Sequence, residues 1–222
     1  MAIGDHLRDV MDLYGSPKCP HTNAVLIAAG EKGVDLNCHT EDDWGPSSSV
    51  RSMSPLGIGP VLKDRSATNI GLVSCISYLD DKGFGPSLVH RNGVTRARMF
   101  QEITIAAQTD CSDDAALAAA LDQLEATLNS PLGNMKGDYV VGQYTLADCA
   151  WAGVCQVATN MGKGDAVSSR SSVNAWFGAV QSHPSTSKEA INPFSCLATK
   201  ADHDGNTMRE VRINTAQEEK YY

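Results

Sequence analysis

The chain has 222 residues, enough for one large domain or two small ones with a real core. Hydrophobic residues make up 42% and charged residues 20%, which excludes disorder over the whole chain. Eighteen Lys and Arg stand against 26 Asp and Glu, a net charge of -8, so a strongly basic surface for nucleic acid or anionic membrane is excluded while a local basic patch stays open.

Val10 to Tyr14 is a strand candidate, and Gly15-Ser16-Pro17-Lys18 is turn chemistry. A helix-like run follows at Val25-Leu26-Ile27-Ala28-Ala29, with Pro20 where a first helical turn tolerates it and Gly30 or Gly33 able to stop it. Leu36 to Thr40 reads as a second strand, which completes a β-α-β start. Glu41 to Ser54 is polar and reads mostly as loop. Pro60 opens a short strand through Lys63, a position where proline is tolerated. Leu72, Ile76 and Leu79 recur at helical spacing, and Lys82-Gly83 closes that helix. Asp80 and Asp81 oppose the macrodipole in its last turn.

Gly83 to Gly93 reads as a connection between domains, and beyond it strand signals vanish. Thr95 to Gln108 is a helix candidate. Ser112 is expected to cap the next helix, with Asp113 and Asp114 in its first turn and Leu117, Leu121, Leu124 and Leu128 along one face. Asn129-Ser130-Pro131 ends it. Thr145-Leu146-Ala147-Asp148 is a capping box with Asp in place of Glu. Val173 to Val180 is a further helix, stopped by His183-Pro184. Ala198 to Tyr222 is polar and reads either as a mobile tail or as one that docks on the body or on a partner.

The seven cysteines, Cys19, Cys38, Cys75, Cys111, Cys149, Cys155 and Cys196, are odd in number, scattered, and contain no C-x-x-C pair. That pattern fits reduced thiols in a cytosol-like compartment and offers no structural metal site with the six histidines. No run approaches the ~20 apolar residues of a membrane helix, and the first residues lack the apolar stretch of a secretory signal.

Three stretches in this order resemble the glutathione transferase superfamily. Leu13-Tyr14-Gly15-Ser16-Pro17-Lys18-Cys19-Pro20 is similar to the first strand and active-site loop. Ser54 to Leu62 is similar to the N-P-x-G-x-V-P-x-L segment, and Gly142-Gln143-Tyr144-Thr145-Leu146-Ala147-Asp148 to the buried cap of the central C-terminal helix. The resemblance spans roughly residues 10 to 190. It implies an α/β plus all-α chain: a thioredoxin-like N-terminal domain at 1–83, a linker at 84–94, an all-helical domain at 95–197 and a polar tail at 198–222.

Cys19 falls where the superfamily places its catalytic Ser or Cys, and Cys19-Pro20 is similar to omega-class and dehydroascorbate-reductase-like members. A thiol beside a helix N-terminus meets the positive end of the dipole and free N–H donors, which favour thiolate, and Lys18 adds a positive charge nearby. The bland alternative is an inert buried thiol. His21 reads as a surface residue. Thr22 stands three residues on, so any redox chemistry in this motif is monothiol. Pro60 matches the cis proline, with Gly59 before it in the backbone contact to glutathione. The Glu-Ser pair that binds the γ-glutamyl end falls on Gly71-Leu72, which offer no side-chain donor or acceptor. The resemblance thus implies Cys19 as catalytic residue and Lys18, Pro20, Gly59, Pro60, Gly71 and Leu72 around glutathione. It also implies an electrophile or disulfide as second substrate, a homodimer and a cytoplasmic location, with an organelle lumen open. A non-catalytic scaffold or complex subunit, with protein partners on the C-terminal tail, is the alternative. Trp151, Trp176, Asp148 and Tyr14 are expected to be structural.

Overall fold

The computed structural model describes residues 10–40, 49–65, 67–129 and 137–183. The polar stretch from 41 to 48, Ser130-Pro131, Pro184, Cys196 and the C-terminal stretch 198–222, on which several expectations rest, lie outside the described residues.

Strand β1 (Met11–Gly15) pairs in parallel with β2 (Leu36–Thr40) and antiparallel with β3 (Val61–Lys63), so that Leu13 lies between Cys38 and Leu62. Strand β4 (Thr68–Ile70) pairs antiparallel with β3 and closes a mixed sheet of order β2-β1-β3-β4. Helices α1 (Pro20–Glu31) and α2 (Leu72–Lys82) complete a thioredoxin-like part, with a short 3-10 turn at Ser49–Ser52. Five helices follow: α3 (Gly93–Gln108), α4 (Asp114–Asn129), α5 (Leu146–Asn160), α6 (Gly164–Ser168) and α7 (Ser171–Gln181). The expected α/β plus all-α architecture is what the chain adopts. Strand β4 and helix α6 were not legible, because runs of three and five residues carry no usable period.

The apolar run in α1 lacks a polar face because the helix is buried on both sides. Every residue from Thr22 to Gly30 is buried, and α5 and α2 both pack against the helix. Helix α5 is equally enclosed, from Leu146 to Ala158. Its capping box forms as expected: the Thr145 N–H donates to Asp148 Oδ2 at 2.8 Å, while Asp148 Oδ1 accepts from Val140 N–H at 3.0 Å and Trp176 Nε1 at 2.8 Å. Burial pushes the Asp148 carboxyl up to about 6 against these bonds. Trp151 and Trp176 pack in the core, as expected, and Tyr14 stacks on His39 at 4.4 Å between ring centroids.

Two helix starts differ from expectation. Asn92 Oδ1 accepts from the N–H groups of Val94 and Thr95, which starts α3 at Gly93 and not at Thr95. Asp113, and not Ser112, caps α4, accepting from Ala115 N–H at 2.8 Å; the Ser112 hydroxyl instead donates to Asp110 Oδ1 at 2.6 Å. The aspartate that opposed the α2 dipole has a partner. Lys32, at the end of α1, is 2% exposed and donates to Asp80 Oδ1 at 3.1 Å and to Pro86 O at 3.0 Å. Asp80 also accepts from Leu88 N–H at 2.7 Å and Ser87 Oγ at 2.7 Å, so the residues leading to the helical part are tied to both helices of the thioredoxin-like part.

Candidate functional site

Cys19 is the N-cap of α1, in extended backbone, half-buried, and its side chain makes no capping hydrogen bond. Pro20 follows at N1, so the N–H groups of His21 and Thr22 stand at the open end of the helix without intrahelical acceptors. The loop is fixed from below by Asn23, which the sequence reading passed over. Asn23 is 2% exposed, and its Nδ2 donates to Pro17 O at 2.9 Å and to Cys19 O at 3.0 Å. A buried Asn within an apolar helical run was the available signal, since such a group needs partners. Asn23→Ala is expected to cost about 1–3 kcal/mol in urea unfolding. It should also change the rate at which iodoacetamide alkylates Cys19, and unchanged alkylation kinetics would show that something else holds the loop.

Lys18 is exposed and its N–H donates to Ser16 Oγ at 3.2 Å. Thr22 is fully buried against Gly15, and its hydroxyl has no hydrogen-bond partner. His21 is not a plain surface residue. It is half-buried and its Nε2–H donates to Ala107 O, at the end of α3, at 2.9 Å. A cavity of about 300 Å³ lies here, lined by Lys18, Pro20 and His21 from the thiol loop and by Asp110, Cys111 and Met161 among residues of the helical part. Cys111 is 5% exposed; burial pushes its thiol up to about 11, with Asp110 and Cys19 adding to the rise and Lys163 opposing it. Burial pushes Cys38 and Cys75 up to about 12, the Cys75 rise opposed by a Leu62 backbone hydrogen bond. Cys149 and Cys155 are raised further by the same cause. Among the described cysteines, Cys19 is the one that is not buried.

The Gly59-Pro60 bond is cis, and Pro60 is buried. Pro60 O accepts from the Gly71 N–H at 2.8 Å, which places Gly71 beside the proline loop. Gly71 is the N-cap of α2 at φ +81, a conformation that favours glycine. Leu72 turns its side chain into the core. The structure thus gathers Lys18, Cys19 and Pro20 at one helix start, and Gly59, Pro60, Gly71 and Leu72 at another. Among the described residues no His, Cys, Asp and Glu cluster fits a metal ion, and no helix is long and apolar enough to cross a membrane.

No family model matches the chain. A glutathione transferase F2 from Populus trichocarpa superposes with a TM-score of 0.67 over 84% of this chain and 99% of that one, at 20% identity. The chain has the glutathione transferase fold. A second protein that matches the glutathione transferase fold seen here is the maleylacetoacetate isomerase of Methylobacterium extorquens AM1, solved with malonate and glutathione bound. It has a TM-score of 0.70 and 17% identity over 82% of this chain and 96% of that one. In sequence, a stringent starvation protein A homolog of Coxiella burnetii is 31% identical over 91 residues, 41% of this chain. The match spans less than half of that relative, 44% of its length. A protein of the same name from Pasteurella multocida is 25% identical over 159 residues, 67% of this chain and 75% of that protein.

Proposed function

We propose that this protein carries out glutathione-dependent thiol transfer through Cys19. One observation carries the reading: Cys19 is solvent-accessible at the N-cap of α1, with its side chain free of capping bonds, on a loop beside a cavity. In the proposed reaction the Cys19 thiolate attacks the glutathione sulfur of a mixed disulfide. A Cys19–glutathione disulfide forms and the substrate thiolate leaves. A second glutathione thiolate then attacks the bound glutathione sulfur, which releases Cys19 as thiolate and glutathione disulfide. The mixed disulfide is reduced and one glutathione thiol is oxidised, the other half of the glutathione disulfide coming from the substrate.

Glutathione would lie along the backbone of Gly59 and Pro60, with Lys18 and Pro20 at its thiol end and the open end of α2, at Gly71 and Leu72, toward its γ-glutamyl end. Each charge-assisted side-chain bond missing at Gly71-Leu72 is worth about 1.5–3 kcal/mol, or roughly ten- to a hundredfold in affinity. Millimolar affinity is the expected result. The same reading carries an electrophile as an alternative second substrate, a homodimer or complex subunit, and a cytoplasmic location.

The test is calorimetric titration with glutathione, together with reduction of a glutathionylated peptide by wild type and Cys19→Ser. Binding in the millimolar range, with turnover lost in Cys19→Ser, is expected. No heat at about 10 mM glutathione, or turnover that survives the substitution, would overturn this reading in favour of the non-catalytic subunit.

A further inference from the structure

A second cysteine shares the cavity beside the thiol loop, and one helix seats both. Gly153 and Val154 are consecutive residues of α5. A Cβ at Gly153 would stand 2.4 Å from Pro20 O, so α5 closely approaches the residue that follows Cys19. One residue on, Val154 O accepts from the Cys111 thiol at 3.9 Å. Pro20 and Cys111 are thus seated on neighbouring residues of α5, and both line the cavity. Cys38, Cys75, Cys149 and Cys155 are 0% exposed, whereas Cys111 keeps 5%.

Two further links hold this arrangement. The His21 Nε2–H donates to Ala107 O at 2.9 Å, which joins the first turn of α1 to the end of α3, shortly before Cys111. Lys163 Nζ donates to Cys111 O and to Ser112 O, each at 2.8 Å, and pairs with Asp114 at 2.6 Å. The turn that carries Cys111 is therefore anchored at its backbone, while its side chain is held by a single weak bond to Val154 O.

The electrostatics fit a thiol held in reserve. The titratable and charged groups around Cys111 are Cys19, Lys18 and His21 on the thiol loop and α1, Asp110 and Asp114 on its own turn and α4, Cys155 on α5, and Lys163 before α6. Burial pushes the Cys111 thiol up to about 11, Asp110 adds to the rise, Lys163 opposes it, and the negative charge of Cys19 adds to it again. At neutral pH Cys111 is therefore protonated. Capping Cys19 with glutathione removes that sulfur's charge, and with it one cause of the rise. A thiol of high pKa is also the stronger nucleophile once it ionises.

We propose that Cys111 is a resolving thiol for Cys19, so that the protein closes an internal Cys19–Cys111 disulfide when free glutathione is scarce. The inference rests on the Cys19–glutathione adduct of the proposed function and adds a second protein thiol to that chemistry. The Cys111 thiol gives its proton to water, and its sulfur attacks the Cys19 sulfur. The Cys19–glutathione bond breaks, the Cys19–Cys111 bond forms, and glutathione leaves as thiolate and takes up a proton. One disulfide replaces another, so no further oxidant is needed. Such a bond closes only where the two Cα atoms come within about 7 Å, and the shared seat on α5 limits how far either has to move.

The full chain is reduced, loaded with glutathione disulfide, desalted, and followed by intact mass between about pH 7 and pH 9, beside Cys111→Ser. In wild type the adduct is expected to decay to a species two hydrogens lighter than the reduced chain, releasing its glutathione about tenfold faster for each pH unit, as the ionised fraction of Cys111 grows. Proteolysis should return a peptide pair joined through Cys19 and Cys111. Cys111→Ser keeps a small side chain and a donor for Val154 O, and its adduct should last at least about tenfold longer. Circular dichroism melting verifies that the variant folds, and the wild-type linkage map decides the matter if it does not. The proposal is overturned by an adduct that decays as fast in folded Cys111→Ser, by one that persists in wild type at about pH 9, or by a disulfide joining Cys19 to a different cysteine or to another copy of the chain. Failure to form any adduct on Cys19 would instead overturn thiol transfer itself, and this inference with it.

Discussion

Gly153→Ala is expected to lower the melting temperature by about 10 °C and to displace the reactive thiol, although it adds one methyl group far from it in sequence. A Cβ at Gly153 would stand 2.4 Å from Pro20 O, 2.8 Å from Ala24 N and 3.0 Å from Ala24 Cβ. The first two are backbone atoms of the opening turn of α1, and cannot move aside as the tip of a side chain can. The turn is also hemmed in on its other side, since Thr22 lies against Gly15 of β1 and Thr22, Asn23 and Ala24 are all buried. Something must shift as a body, either α1 toward the sheet or α5 away from it. Overpacking of this kind costs about 3 kcal/mol, the upper end of its usual range, because backbone yields less than side chain. For a chain of this length that corresponds to the stated drop. Since Pro20 directly follows Cys19, the same shift moves the N-cap, so thiol transfer should fall along with stability. Gly178 in α7 is the matched control. Nothing lies within 4 Å of its added Cβ, and Gly178→Ala should be neutral or stabilising by up to about 1 kcal/mol. Equal melting temperatures for the two variants would refute the close-approach argument.

That contrast also explains what could be read from the sequence. The β-α-β start was legible because its signals are local. Pro20 and Cys19 mark a helix start within two residues, and β2 spans Leu36–Thr40 as expected. The α5 cap was legible for the same reason, Thr145 and Asp148 being three residues apart. Gly153 was not legible, because its requirement comes from a helix about 130 residues earlier in the chain. The candidate site divides in the same way. Cys19, Gly59-Pro60 and Gly71-Leu72 lie in short motifs and could be named. The cavity could not, since it joins the thiol loop to the α3–α4 turn through the His21–Ala107 bond. Asn23 was missed because its acceptors are carbonyls, and every residue has one. The β4 edge went unseen because Thr68-Asn69-Ile70 is too short to show alternation.

Asp80 was legible only as an anomaly, and its partner makes the second large prediction. Lys32 and Asp80 are each 2% exposed at their side chains, and together they hold Ser87, Leu88 and Pro86 against the ends of α1 and α2. Breaking such a pair from one side leaves a charge buried without its counter-charge, which costs about 3–5 kcal/mol. Lys32→Met and Asp80→Asn should each show a loss of that order in urea unfolding at neutral pH. Lys32→Met with Asp80→Leu should lose less than the sum of the singles, because no orphaned charge remains. The pH dependence follows from the carboxyl. Desolvation acts to raise the pKa of Asp80, but the Leu88 N–H, the Ser87 hydroxyl and Lys32 together outweigh it, and the pKa lies below the ordinary carboxylate value. A carboxyl with a depressed folded pKa binds its proton more readily in the unfolded chain. Its contribution is therefore complete above the unfolded pKa and is lost as pH falls through the folded one. Wild type should lose stability steeply between about pH 5 and pH 2, and Asp80→Asn should lose visibly less over the same span. Parallel acid limbs for the two proteins, measured by urea titration at successive pH values, would mean that the carboxylate is not what ties Ser87 and Leu88 to the ends of α1 and α2.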